Sequence, residues 1–176
     1  MNKLYEGCPP PGTGDLTLKF VKVHPDAKLP SYAHHGDAGM DVCSVDDVEL
    51  TPGCPTLVST GLVADIPDGY EIQVRPRSGL ALKHGITVWN SPGTIDSNYR
   101  GTIGVILYLA LGRVVRRNVD QTTFEYSVKP NDPYVIHKGD RIAQLVLSPV
   151  TRCIPVESEA VSTTDRGASG FGSTGT

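Results

Sequence analysis

The sequence predicts an all-β fold, a distorted jelly roll or β-barrel with one short helix and a flexible C-terminal arm, and three observations predict it. Apolar and polar residues alternate in short runs such as Leu16-Thr-Leu-Lys-Phe-Val-Lys-Val23, Tyr70-Glu-Ile-Gln-Val-Arg75 and Phe124-Glu-Tyr-Ser-Val128, the period of a half-buried strand. Turn chemistry separates the runs at Thr51-Pro-Gly, Pro67-Asp-Gly, Ser91-Pro-Gly and Lys138-Gly-Asp, where Pro presets φ and Gly admits its positive values. No window longer than two turns carries a helical stripe.

In chain order, residues 1–15 are rich in Pro and Gly and read as a leader. The body, 16–160, opens with the run 16–23 and continues through a strand-like stretch at 38–44. Further strands are expected at 57–59, 62–66, 70–75, 86–89, 102–111, 124–128, 134–137 and 142–147. Gly79-Leu-Ala-Leu-Lys-His-Gly85 suits one short helix, ended by Gly85 because a left-handed terminal residue is easiest for glycine. Residues 161–176 form the arm. At 176 residues and 39% hydrophobic content the chain is one domain able to bury its own core.

Bulk properties exclude several functions. A formal net charge of −3 argues against a nucleic-acid surface, and the cluster Arg113, Arg116 and Arg117 reads as a solvated loop or turn. The longest apolar run, Val105 to Leu111, is too short to span a membrane, and the first residues lack a signal-peptide pattern. Four cysteines without a CxxC spacing suit a reduced, cytoplasmic chain. His34 and His35 are adjacent, so in extended backbone they face opposite ways, and a zinc enzyme is not expected.

Five segments join glycine-loosened backbone to polar residues. In Ala38-Gly-Met-Asp-Val-Cys-Ser44, Asp41 sits in a strand-like run where an unpaired carboxylate is costly; it either ties down a turn or stands near a hydrated cation. In Pro76-Arg-Ser-Gly79, Arg77, Ser78 and Gly79 suit a phosphate site at a helix start, and Ser78 equally suits an N-cap. In Gly93-Thr-Ile-Asp-Ser-Asn-Tyr-Arg-Gly101, Asp96 is placed to deprotonate a water or to make an Asx-turn. Gln144, inside Gly139-Asp-Arg-Ile-Ala-Gln-Leu145, needs a partner in what should be core: a ligand phosphate, or by default a backbone carbonyl.

The last segment is Arg166-Gly-Ala-Ser-Gly-Phe-Gly-Ser-Thr-Gly-Thr176. Its glycines can turn N–H groups toward an anion, Arg166 adds a fork suited to phosphate, and Phe171 offers a stacking face. The match of residues 170–175 to GxGxxG is not a dinucleotide fingerprint, because no strand precedes it and no helix follows.

Together the five segments, in order from Ala38 to the C-terminus and spanning about three quarters of the chain, resemble the motifs of the trimeric all-β deoxyuridine triphosphate nucleotidohydrolases (dUTPases). The resemblance implies hydrolysis of dUTP to dUMP and pyrophosphate, with Mg²⁺ as cofactor held through water by Asp41. It implies that Arg77, Ser78, Gly79 and Gln144 contact the phosphates. Asn90, Gly93 and Ile95 then belong to a hairpin pocket for uracil, Tyr99 packs on the deoxyribose and excludes a 2′-hydroxyl, and Asp96 is the catalytic residue that positions water. From the tail, Arg166, Gly172, Ser173 and Thr174 would grip the γ-phosphate while Phe171 covers the base. It also implies a homotrimer whose active sites are each shared by three chains.

Two departures stand out. Asn98 occupies a position where many relatives are acidic. Residues 112–133 make the stretch after Leu111 roughly twenty residues longer than usual, with an added strand or hairpin arm expected at 124–128. Some bacteriophage members carry extra sequence there, so a phage origin and a host cytoplasm fit. The segment is a surface elaboration or the docking site of a regulatory protein, and the latter would make the chain a nucleotide-sensing interaction protein. A dCTP deaminase on the same fold needs a glutamate where this chain has Ile106, so deamination is not expected.

Overall fold

The computed structural model describes residues 16–110, 112–118 and 124–169; the leader, 1–15, lies outside them. Thirteen strands and one helix follow one another in the order β1 (Lys19–Lys22), β2 (Met40–Cys43), β3 (Val48–Leu50), β4 (Thr56–Ser59), β5 (Leu62–Asp65), β6 (Tyr70–Arg75), α1 (Ser78–His84), β7 (Ile86–Val88), β8 (Gly93–Ile95), β9 (Gly104–Leu109), β10 (Gly112–Asn118), β11 (Phe124–Pro130), β12 (Tyr134–Ile136) and β13 (Arg141–Pro149). All the named pairings are antiparallel. They divide into five sheets, the largest ordered β2-β13-β6-β8 and the next β4-β9-β7. Of the two all-β alternatives, the described strands form packed sheets and do not close into a barrel.

Period-two patterning builds the core between these sheets. In β9, Val105, Leu107 and Leu109 are buried while Gly104, Ile106 and Tyr108 lie half-buried on the other face. In β6, Ile72 and Val74 point inward. The outward residues of β6 form a polar chain: Gln73 Nε2 donates to Glu71 Oε1 at 2.7 Å, and Arg75 Nε and Nη2 donate to Gln73 Oε1 at 3.0 and 2.6 Å. Two buried polar residues are satisfied as a dry interior demands: Thr60 Oγ1 donates to the Ile103 carbonyl and Ser44 Oγ to the Asp46 carbonyl, each at 2.7 Å. Strand β13, nine residues long, pairs with β2 on one side and β6 on the other and fixes the largest sheet.

The helix forms where expected, ended by Gly85 at φ 68°, whose N–H donates to the Ala81 carbonyl. Its N-cap, however, is Arg77 in extended backbone without a side-chain cap bond, so Ser78 is the first helical residue and not the cap. The expected strand 102–111 is shorter, β9 running from Gly104 to Leu109, and a further strand, β10, starts at Gly112. Gly112 has φ 118°, and a Cβ there would collide with the Lys129 carbonyl oxygen, so only glycine lets the chain turn into the next strand. β10 and β11 then pair over seven residues as a two-stranded arm, from Gly112↔Pro130 to Asn118↔Phe124. Arg113, Arg116 and Arg117 therefore lie in a strand, not in a loop or turn.

Candidate active site

The outer face of the largest sheet carries the candidate site. Asp41 stands on β2 between the buried Met40 and Val42, facing away from the core. Register sets Asp41 beside Gln144 of β13, and Gln144 beside Arg75 of β6, in one row across three strands. The carboxylate is not left unpaired: Arg77 Nε donates to Oδ1 at 3.0 Å and Arg141 Nη1 to Oδ2 at 2.8 Å. Arg77 Nη1 also donates to the Arg141 carbonyl at 2.8 Å. With side chains only 18% and 25% exposed for Asp41 and Arg77, the pair is partly desolvated, and two guanidiniums against one carboxylate leave a net positive cluster suited to a polyanion.

Arg141 was not among the residues singled out from sequence. Its reach to Asp41 depends on a register shift between Arg141 and Ala143, which pair with Cys43 and Val42; a bulge of this kind bends the strand and re-aims a side chain. The signal available in sequence was the carboxylate in a strand, which required a cation from a neighbouring strand. Burial pushes the Cys43 thiol, beside this cluster, above the ordinary value, which disfavours its thiolate.

Gln144 takes the default partner, donating from Nε2 to the Pro76 carbonyl at 2.9 Å. Its Oε1 lies against Gly39, where any Cβ would collide with it. Gly39, Asp41, Arg75 and Gln144 line a cleft of about 230 Å³. Ser78 and Gly79 are exposed at the start of α1, and the space beside Gly79 is open.

A second cavity, about 160 Å³, is lined by Thr94, Ile95, Asp96, Tyr99, Ile103 and Gly104. Gly93 and Ile95 are buried in β8, opposite Val74 and Ile72 of β6. The turn before β8 includes the cis Ser91–Pro92 peptide, and the Asn90 amide packs over Gly93, its Nδ2 3.1 Å from the position of a Cβ. Asp96 follows β8 and is exposed. The Asx-turn, one of the two alternatives for Asp96, does not form: the Asp96 carbonyl accepts the Tyr99 N–H at 3.1 Å, while among the described residues nothing binds the carboxylate. Tyr99 folds over Gly101 and donates from Oη to the Thr102 carbonyl at 3.2 Å.

Arg100, also unforeseen, holds this loop. Its Nη1 donates to the carbonyls of Ser97 and Tyr99 at 2.7 and 2.9 Å, and its Nη2 to Asp65 Oδ1 at 3.0 Å. Arg166 is exposed, with Nε donating to the Ser169 carbonyl inside its own turn at 3.0 Å. Phe171, Gly172, Ser173 and Thr174 lie outside the described residues.

The two halves occupy opposite corners of one sheet face. Continuing the β6–β8 register sets Asp96 level with Glu71, whereas Asp41 is level with Arg75. Four residues along the strands and three strand spacings across them separate the backbones by roughly 19 Å. One chain therefore does not bring the free carboxylate of Asp96 to the Asp41–Arg77–Gln144 cluster.

Known proteins resemble the chain along most of its length. The family model for dUTPase matches residues 25–121 and 114–175. The deoxyuridine 5'-triphosphate nucleotidohydrolase of Picosynechococcus sp. is 47% identical over 161 residues, covering 92% of this chain and 100% of that protein. The Solibacter usitatus protein of the same description is 48% identical over 164 residues, covering 91% and 97%. Among solved structures, the Staphylococcus bacteriophage 80alpha dUTPase with dUPNHPP superimposes with a TM-score of 0.75 at 29% identity, over 91% of this chain and 99% of that one. A mutant dUTPase from phage phi11 of S. aureus, described as coordinating a structural Mg(II) ion, gives 0.67 at 27% identity, over 82% and 98%. The all-β architecture with its one short helix is the jelly-roll fold of these structures. With a family model spanning most of its length and relatives near half identical along it, the chain belongs to the dUTPases, the dUTP diphosphatases.

Proposed function

We propose that the chain hydrolyses dUTP between the α- and β-phosphates, with Asp96 accepting a proton from the attacking water and pyrophosphate leaving. The single observation that carries this reading is the pairing of an exposed, unbonded carboxylate beside a small cavity with a net-positive cluster at the far corner of the same sheet face. The cavity would take the nucleoside, with Asn90, Gly93 and Ile95 around the base and Tyr99 against the sugar. The cluster would take the triphosphate. Arg77 and Gln144 are the contacts, with Ser78 and Gly79 offering backbone N–H groups. Water attacks the α-phosphorus, the bond to the bridging oxygen breaks, and the negative charge that develops on the phosphates is met by guanidinium donors.

Mg²⁺ fits only as a partner of the triphosphate. One carboxylate, already accepting from two arginines, is not a metal cage, and no group of three His, Cys, Asp or Glu side chains among the described residues forms one. Asp41 keeps lone pairs free for metal-bound waters, and Mg²⁺ typically keeps several waters while phosphates supply its other oxygens. When bound, the ion supplies neutralisation of phosphate charge.

Because the halves lie so far apart on one chain, the reading requires a second chain, Asp96 of one meeting Arg77 of another, and the homotrimer implied by the family resemblance would supply it. Arg166 and the residues beyond it would come from a further chain and close over the ligand, excluding water from the site. The β10–β11 arm is an accessory to this chemistry, or the seat of a regulatory protein. Deleting 112–133 separates the two: turnover survives under both, while a partner is lost only under the second. Deamination of dCTP is disfavoured because Ile106 is a half-buried apolar residue on β9. The setting is the cytoplasm, or a host's cytoplasm. Purified protein given dUTP, dCTP, dTTP and UTP with Mg²⁺ should release pyrophosphate from dUTP in strong preference; no release from dUTP refutes the reading.

A further inference from the structure

We propose that Gly101 is a specificity-determining residue, whose missing side chain is the space into which Tyr99 folds and which thereby sets the wall of the sugar pocket. The inference rests on the reading that this pocket holds the deoxyribose of dUTP. Gly101 is not among the glycines with positive φ, so its backbone does not demand glycine. The demand comes from the ring. A Cβ at residue 101 would collide with Tyr99 Oη, and would lie 2.5 Å from Cζ and 3.0 Å from Cε2, well inside van der Waals contact.

The ring is what gives way. Tyr99 is 46% exposed, and the atoms met first are the far end of a side chain with free χ angles. The adjacent backbone, by contrast, is held by Arg100 through the Ser97 and Tyr99 carbonyls and Asp65. Alanine at 101 therefore breaks the Tyr99–Thr102 bond and swings the ring off the loop, while the Asp96 turn stays in place. Because Tyr99 lines the cavity with Thr94, Ile95, Asp96, Ile103 and Gly104, moving it removes the wall that leaves no room for a 2′-hydroxyl.

The test compares kcat/KM for dUTP and for UTP in the full chain, in Gly101→Ala, in Tyr99→Ala and in the double variant. Gly101→Ala should lower the dUTP/UTP ratio by about tenfold or more, within the range that a misfitted pocket contact produces. In the Tyr99→Ala background the same substitution should change the ratio less than about twofold, because residues acting through one another are not additive. A ratio unchanged in Gly101→Ala, or the same loss in both backgrounds, overturns the proposal. Tyr99→Phe is the second variant: it loses the Thr102 bond but keeps the space, so its ratio should stay within about threefold of the parent. A collapse there assigns the discrimination to the hydroxyl and refutes Gly101. Equilibrium binding of dUMP against UMP reads the same preference without turnover. A parent that binds dUMP selectively but does not cleave dUTP would refute the function and leave the pocket assignment to the binding ratio. A parent without binding preference overturns the inference.

Discussion

The sharpest consequence of the roughly 19 Å between Asp96 and the Asp41 cluster is that two inactive chains should repair each other. Asp96→Asn removes the proposed proton acceptor and should lower turnover by about 10²–10⁴-fold. Arg77→Ala removes a proposed phosphate contact and leaves Asp41 Oδ1 without the donor it has in Arg77 Nε at 3.0 Å, only the Arg141 bond to Oδ2 remaining; each variant alone should fall to a few per cent of the parent or less. Co-expressed with different tags and purified on both, every copy of the proposed trimer contains both chains. In a cyclic, head-to-tail assembly a site takes Asp96 from one chain and Arg77 from the next. Going round either mixed trimer, only one of the three junctions combines an intact Asp96 with an intact Arg77. Pyrophosphate release should therefore recover to about one third of the parent rate. If both halves belonged to a single chain, no mixed trimer would contain a competent site, and activity would stay at the level of the separate variants. That flat result would refute the shared-site argument while leaving the fold untouched.

Other perturbations address the supports of the site. Gly39→Ala drives a Cβ into Gln144 Oε1, so the amide should leave the Pro76 carbonyl, costing about 1–3 kcal/mol for the disturbed bond and raising KM for dUTP more than it lowers kcat; urea unfolding and steady-state kinetics measure the two. Leu107→Ala, at a side chain 1% exposed in the core, should cost about 2–5 kcal/mol in the same unfolding experiment. The exposed Asp26–Lys138 pair, at 2.9 Å, predicts a pH dependence. The hydrogen bond from Lys138 holds Asp26 below its ordinary value of 3.8, so its contribution is present above 3.8 and is lost as pH falls through the lowered folded value. The bond to Asp26 likewise raises Lys138 above 10.5, a contribution present below 10.5 and lost as pH rises through the folded value. Lys138→Met should flatten both limbs of the urea-midpoint profile, and unchanged limbs would show that solvent screening has removed the effect.

Much of the architecture was legible along the chain because strands announce themselves locally. The alternation in 70–75 matches β6 residue for residue, and Gly85 ends α1 through a left-handed φ that glycine adopts without a steric penalty. The three-residue strands β3 and β8 were not expected, whereas the equally short β7 and β12 were, because they lie in runs of β-branched and aromatic residues. Ser78 looked like a cap because its residue type favours that position, but Arg77 adopts the extended cap conformation while its side chain reaches across to Asp41. Arg100 and Arg141 carried no local mark at all, since what they hold lies on other strands or across a turn.

Amino-acid sequence alone settled which residue types were available: a carboxylate in a strand, a carboxylate after a glycine-opened hairpin, and arginines to pair with either. Their partners were decided only by tertiary structure. Pairing register and one bulge, which depend on contacts between residues up to a hundred positions apart, set Arg141 on Asp41 and held Asp96 at the opposite corner of the sheet. Backbone chemistry and side-chain alternation act between neighbours and can be read in one dimension; distance across a sheet is a property of the packed core that no local pattern encodes.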